Sequence, residues 1–271
     1  NKKDFFPDES VDLRFEPDTK SYMLSMFSAS KYINGRQSLI KDGFFCADKE
    51  NISQEKTPML FQKANITIQA TSGMVDSIPQ YIFVLKQKKI PSEISFAEDL
   101  LQFDSYEYLA SFFGRQNIRN DLYYFSQNEL KKCSVLFNGT KRQAVFVWGD
   151  EHNLNNLSYI IVSKKITTER AEEGSALTGT SSWQFQNGMY LGMDIKELLK
   201  LNKGDFDIYG NKSDLAFMVK PTPNGKINFI ETAVMLNCNL CNEDKIFDQQ
   251  EVSALEITKE NLPMKIFDII I

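Results

Sequence analysis

The chain has 271 residues, with 31 basic against 36 acidic side chains, a net charge of −5 and a pI near 5.2. Apolar residues make up 42% and charged residues 25%, the balance of a globular chain and not of a disordered or collagen-like one. The basic excess or stripe of a phosphate-backbone binder is missing, and no run reaches the ~18 apolar residues that span a bilayer, so neither a nucleic-acid partner nor a transmembrane segment is expected.

The length suits one large or two ordinary domains of ~100–200 residues. Residues 1–19 are charged, contain Pro7 and Pro17, and read as a flexible lead-in. Residues 20–92 read as a β-rich N-terminal domain. Short apolar runs at 22–27, 59–61, 66–68 and 81–85 are separated by turn-rich pieces such as Asn34-Gly35 and Asp42-Gly43. Ile66, Ile68 and Ala70 alternate with the period of a half-buried strand. The run Lys86-Gln87-Lys88-Lys89-Ile90-Pro91 marks a boundary, and residues 93–271 read as an α+β C-terminal domain.

Helical signals follow. Ser95-Phe96-Ala97-Glu98 fits a capping box, with Ser95 as cap and Glu98 reaching back. Asp104-Ser105-Tyr106-Glu107 repeats the pattern ahead of Tyr108, Leu109, Phe112 and Phe113, and Gly114 is placed to stop the helix. Two short helices are expected. Runs at 135–137 and 144–148 flank Asn138-Gly139, a hairpin signal, and 157–162 makes a third strand. Residues 163–182 are polar without a hydrophobic period, and so long a connection is usually functional or mobile. A further helix is expected from Asp194 to Asn202. A second hairpin is expected between 215–219 and 227–236 across Pro221-Thr222-Pro223-Asn224-Gly225. The apolar stretch 265–271 has to be paired in a sheet, since unpaired it would aggregate.

The two helical segments echo one another at an offset of 90: Asp104 with Asp194, Glu107 with Glu197, Leu109 with Leu199, Gly114 with Gly204. Either the echo is a duplication into two helix-plus-meander units on one sheet, or it arises because caps and glycine stops are common. The fold class expected is α+β with a mainly antiparallel sheet.

Chemistry is sparsely marked. The single histidine, His152, has to serve alone in any design that needs an imidazole base. It follows Asp150 and Glu151 in a polar loop, so it reads either as a base oriented by one of them or as a solvated turn residue. Among the cysteines Cys46, Cys133, Cys238 and Cys241, the last two have C-x-x-C spacing. A redox pair usually opens a helix, and a structural zinc site needs a second such pair. A short disulfide, or two reduced thiols at a strand end, fits better. The polar start Asn1-Lys2-Lys3-Asp4 suits a mature exported protein, and trimming explains it equally well.

One stretch carries a resemblance. Phe113-Gly114-x-x-Asn117-Ile118 is followed by Leu136-Phe137-x-x-Thr140 and Val145-Phe146-Val147-Trp148-x-Asp150. Then come Trp183, Gly188-x-x-x-Gly192, Glu197-Leu198-x-x-Leu201-Asn202, Phe206 and Gly210. This third of the chain resembles a group of uncharacterised cell-envelope proteins of Gram-negative bacteria, many with lipoprotein-type leaders. The resemblance implies an exported, periplasmic or outer-membrane-associated protein, with a lipid tether upstream of Asn1, and brings no reaction with it. The opening Gly192-Met193-Asp194-x-x-Glu197-Leu198 is also similar to helix-plus-meander units of β-lactamase-inhibitor-like and outer-membrane assembly lipoprotein domains, which are binding modules. Where the envelope group continues into an aromatic, Gly-rich strand, this chain reads Gly210-Asn211-Lys212-Ser213-Asp214. A ligand surface on that strand is therefore expected to differ or be absent.

The function expected is non-catalytic binding of another envelope component, a protein or other, with no cofactor and no metal. Trp148, Trp183, Asp150, His152 and the 163–182 connection form the candidate surface. The alternative is a hydrolase acting on envelope sugars or peptides through His152 with Asp150, or through two carboxylates ~5–9.5 Å apart. A thiol-redox or metal protein using Cys238 and Cys241 is a third reading.

Overall fold

Alternation in the charged opening already builds a strand. Val11, Leu13 and Phe15 interleave with Asp12, Arg14 and Glu16, and in the computed structural model these residues form β1 (Val11–Glu16), inside the segment expected as a lead-in. The structure describes residues 11–126, 129–163, 182–238, 241 and 245–271. It is α+β, mostly antiparallel strands with few short helices. The chain divides into two compact units, residues 1–92, 104–115 and 152–155 on one side and 93–103, 116–151 and 156–271 on the other.

In the first unit β1 is followed by β2 (Ser21–Met26), α1 (Ala29–Lys41), β3 (Met59–Lys63), β4 (Ile66–Val75), β5 (Ile78–Gln87) and α2 (Tyr106–Phe113). The five strands form an antiparallel sheet in the order β1-β2-β5-β4-β3. Helix α1 corrects the reading of Asn34-Gly35 as a turn, because both residues lie inside it. Ser28 caps its start, accepting from the Lys31 N–H, and Gly43 leaves its end at φ +82°. Between those caps Tyr32 and Arg36 are buried, and Leu39 and Ile40 are partly buried on the same stripe. That burial outweighs the ~1 kcal/mol cost of a helical glycine. The Tyr32 ring stacks on Tyr81 with centroids 4.8 Å apart, and its centroid lies 5.1 Å from that of Phe83. The Arg36 guanidinium is buried and donates to the Gln54 and Asn51 carbonyls at 2.9 and 3.3 Å.

Hairpin β4–β5 turns through Asp76 and Ser77, both at positive φ (48° and 67°), as a two-residue loop that matches strand twist requires. Pairing with β3 ends at Ala70 and pairing with β2 ends at Tyr81, so residues 71–80 run on as a two-stranded finger. Helix α2 is capped by the Ser105 hydroxyl, which accepts from the Tyr108 N–H, and Gly114 at φ +86° ends it. Its Tyr108 hydroxyl donates to the Lys89 carbonyl at 2.7 Å, and the Tyr106 N–H donates to Leu154 at 2.8 Å.

The second unit opens with a 3₁₀ helix, Ala97–Gln102. Here Asp99, not Glu98, reaches back, accepting from the Ser95 and Phe96 N–H groups at 2.8 Å. Glu98 instead accepts from the Gln186 N–H. The remaining elements are β6 (Ile118–Ser126), β7 (Glu129–Leu136), β8 (Ala144–Asp150), β9 (Asn155–Ser163), α3 (Ile195–Asn202), β10 (Asp207–Tyr209), β11 (Ala233–Asn237), β12 (Glu251–Ser253), α4 (Ala254–Lys259) and β13 (Lys265–Ile270). Six of them make a sheet in the order β11-β13-β9-β8-β7-β6, while β10 pairs with β12 alone. Strand β13 lies inside the sheet, between β11 and β9, which gives the apolar stretch 265–271 the pairing it needs. Residues 144–148 of β8 are buried without alternation, the mark of a strand covered on both faces.

The expected hairpin between 215–219 and 227–236 is reduced to one end. Met218 pairs antiparallel with Met235, the Val219 N–H donates to the Val234 carbonyl at 2.9 Å and the Leu236 N–H to the Phe217 carbonyl at 3.0 Å, while only 233–237 of the second arm is strand. Phe217 sits at φ +65°, Pro221 and Pro223 lack donors, and the loop is tied to the end of α3 instead. Asn202 is fully buried there: its side-chain amide donates to Gly204 and Asn224, and its oxygen accepts from the Ile227 N–H at 3.0 Å. Gly210 passes so close to the 247–249 backbone that a Cβ would overlap the Gln249 carbonyl oxygen. The helices of the 90-residue echo begin at Ser105 and Asp194 as caps and belong to different units.

Candidate functional site

Each sequence-derived candidate has a definite place. Trp148 and Trp183 are both 1% exposed. The Trp148 indole N–H donates to the Ser134 hydroxyl at 3.0 Å, and that hydroxyl donates to the Asn120 side-chain oxygen at 2.8 Å. Its ring stacks on Phe146. Trp183 donates to the Arg142 carbonyl at 2.8 Å, under the Arg142 guanidinium 4.5 Å from the ring centroid. Both rings carry apolar area inward with the N–H satisfied, so they belong to packing and not to a contact surface. Residues 164–181, most of the connection expected beside them, lie outside the described residues.

Asp150 ends β8 and is partly buried. Glu151 accepts from the Lys132 backbone N–H at 3.0 Å. The His152 ring nitrogen lies 3.0 Å from a carboxylate of Asp48, a partner 104 positions away in sequence that local reading could not supply. At 60% exposure of the histidine side chain, this is a solvated pair of small energetic weight. Cys238 and Cys241 form a disulfide with both residues buried, whereas Cys46 and Cys133 are free and buried.

The structure adds a group that no motif marked. On one side of the six-stranded sheet Cys133, Val135, Val145, Val147 and Ile161 form a buried cluster, with Tyr123, Tyr159 and Ile270 packed against it. Asp268 of β13 stands opposite Ser163 of β9. One of its carboxylate oxygens is buried without a hydrogen-bond partner. Burial pushes its carboxyl up to about 6, opposed by the hydrogen bond with Ser163. The Tyr123 hydroxyl is pushed up to about 12 by burial first and then by the Asp268 charge. The Cys133 thiol is pushed up to about 12 by burial and then by Asp121. Tyr123 and Cys133 are therefore protonated at neutral pH, and Cys133 offers no thiolate nucleophile. Asp268 is the member of this group whose charge changes near neutrality. Its only sequence signal was an acid inside the otherwise apolar run 265–271.

A second feature is steric. The finger of residues 71–80 exposes Met74 at 64%, Ile78 at 54% and Val75 beside them. Its turn residues, Asp76 and Ser77, do not match the Asn-Gly or Asp-Gly signal, so the sequence did not announce it. Among the described residues no group of three or more His, Cys, Asp or Glu is placed to hold a metal ion. No helix there is long and apolar enough to cross a membrane. No family model, no curated protein and no solved structure matches the chain.

Proposed function

We propose that the chain is an interaction module of the bacterial cell envelope, and that the finger of residues 71–80 is its contact surface. The observation that carries this reading is the exposure of Met74, Val75 and Ile78 together at a hairpin tip. Grouped exposed apolar side chains mark contact sites, whereas scattered ones do not. The partner is a protein with an apolar groove. Between Lys63 and Lys86 the sole charged residue is Asp76, at the tip itself. A lipid surface is bound through lysine and arginine around an apolar face, and an acid at the leading edge opposes insertion.

Export rests on the resemblance to envelope proteins and on the Cys238–Cys241 disulfide, which persists in an oxidising compartment. The two free thiols are compatible with such a setting because both are buried and both are pushed above the usual thiol range. A photo-crosslinking residue in place of Ile78, with one in place of the exposed Lys200 as control, tests the contact in cells. One discrete adduct from position 78 and none from 200 is the expected result. No adduct at 78, or the same adducts from both, overturns the finger as contact surface. Recovery of the chain in the cytosol with Cys238 and Cys241 reduced overturns the envelope assignment.

A further inference from the structure

Strand β1 is the outermost strand of its sheet, and β2 is its sole strand partner among the described residues. An outer strand presents a row of unpaired N–H and C=O groups, which proteins usually blunt with prolines, bulges or charge. No proline or bulge interrupts β1, whose six residues pair with β2 in unbroken register. The apolar side of this edge is also open: Phe15 is 52% exposed and Tyr22 beside it 51%, with ring centroids 5.1 Å apart, and Leu13 is exposed as well.

The charges of β1 select the strand that fits. When a strand pairs antiparallel with its own copy, the two-fold axis stands perpendicular to the sheet and keeps each face aligned. Odd residues then meet odd, even meet even, and permitted registers step by two residues. Registers centred on Asp12, Arg14 or Glu16 set like charges directly opposite, which destabilises a ladder. The register centred on Leu13 sets Asp12 opposite Arg14 twice, Leu13 opposite Leu13, and Val11 opposite Phe15. The register centred on Phe15 brings Leu13 against Pro17, which has no N–H to give. Asp12 and Arg14 are exposed on the same face of β1, where they pair with each other at 2.5 Å in the single chain and can exchange that partner for the opposite charge of a second copy.

We propose that β1 is a self-pairing edge: two copies of the chain join antiparallel about Leu13, with Asp12 of each against Arg14 of the other. The two five-stranded sheets then become one continuous ladder, and Phe15 and Leu13 gain cover from the second copy. One strand pair is a small interface, so the association is weak and concentration-dependent.

Sedimentation equilibrium of the full chain over roughly 1–300 µM tests this. Reversible dimerisation is expected in the parent. In Arg14→Glu two acid–acid pairs replace two acid–base pairs, and association weakens at least about tenfold. The exchange Asp12→Lys with Arg14→Glu restores opposite charges and returns association to within about threefold of the parent. These side chains are exposed, so circular dichroism and thermal unfolding of all variants match the parent. A chain that stays monomeric throughout overturns the proposal and leaves the edge to a strand of another protein. Equal association of Arg14→Glu and the parent also overturns it. Loss in Arg14→Glu without recovery in the exchange overturns the register about Leu13.

Discussion

The two sheets solve the same problem in opposite ways. The first unit places a charged, alternating strand at its rim, so β1 has one neighbour and exposes Leu13 and Phe15. The second unit places its most apolar strands inside, with β8 and β13 each flanked on both sides. A strand that alternates can face water along one face, whereas a continuous apolar run has to be covered on both. Strands covered on both sides therefore lie in the second sheet, and an exposed, alternating rim lies in the first.

This contrast is broken most directly at Trp148. Trp148→Ala removes a fully buried ring and the indole donor to Ser134, so we predict a loss of about 3–5 kcal/mol in urea unfolding. A loss below about 1 kcal/mol removes the distinction between the sheets.

Asp268 sharpens the comparison through pH. Its folded pKa lies above the carboxylate value of 3.8, at about 6, so the folded state favours the protonated form. Stability from this group is fully present below the unfolded value and is lost as pH rises through about 6, amounting to at most about 3 kcal/mol above it. Asp268→Asn is predicted to exceed the parent in stability at pH 8 and to converge on it toward pH 4, read by denaturant unfolding at both. A parent whose stability rises from pH 4 to 8 by the same amount as the variant's contradicts this.

The disulfide is next in size. Its loop is short, so replacing both Cys238 and Cys241 by Ser is predicted to cost about 2 kcal/mol, measured as the drop in unfolding free energy. Smallest is the effect of Phe15→Ser at the rim, expected within about 1 kcal/mol in the same measurement.

Sequence reading succeeded where the signal was local. Asp104 with Gly114 marked a real helix, although its cap proved to be the next residue, Ser105; Asp194 with Glu197 marked another, and the apolar run 265–271 demanded the pairing that β13 has. It failed where distant contacts outvoted local ones. Asn34-Gly35 is helical because Tyr32 and Arg36 are buried from the same face, and the hairpin around Pro221 pairs only near Met218 and Met235, with its loop held by the bonds from Asn202. β1 was missed because Pro7, Pro17 and the surrounding charge masked a clean period of two. The functional candidates shared that limit. Trp148 and Trp183 stand out in sequence for a property that packing uses, while Asp48 beside His152 and Asp268 behind Tyr123 are juxtapositions that only the topology makes.

The position of β13 has a consequence for the order of events during synthesis. The strand lies between β9 and β11 yet follows both in the chain. The first unit has all its residues once position 155 has emerged. The second keeps an open seam beside β9 until residues 265–270 arrive, with Ile160, Ile161 and Val162 waiting for cover. Closure across so long a separation is slow. The nascent chain therefore passes through an interval in which a finished first unit is tethered to a sheet with a missing slat, and a chaperone that holds extended apolar strands would act in that interval.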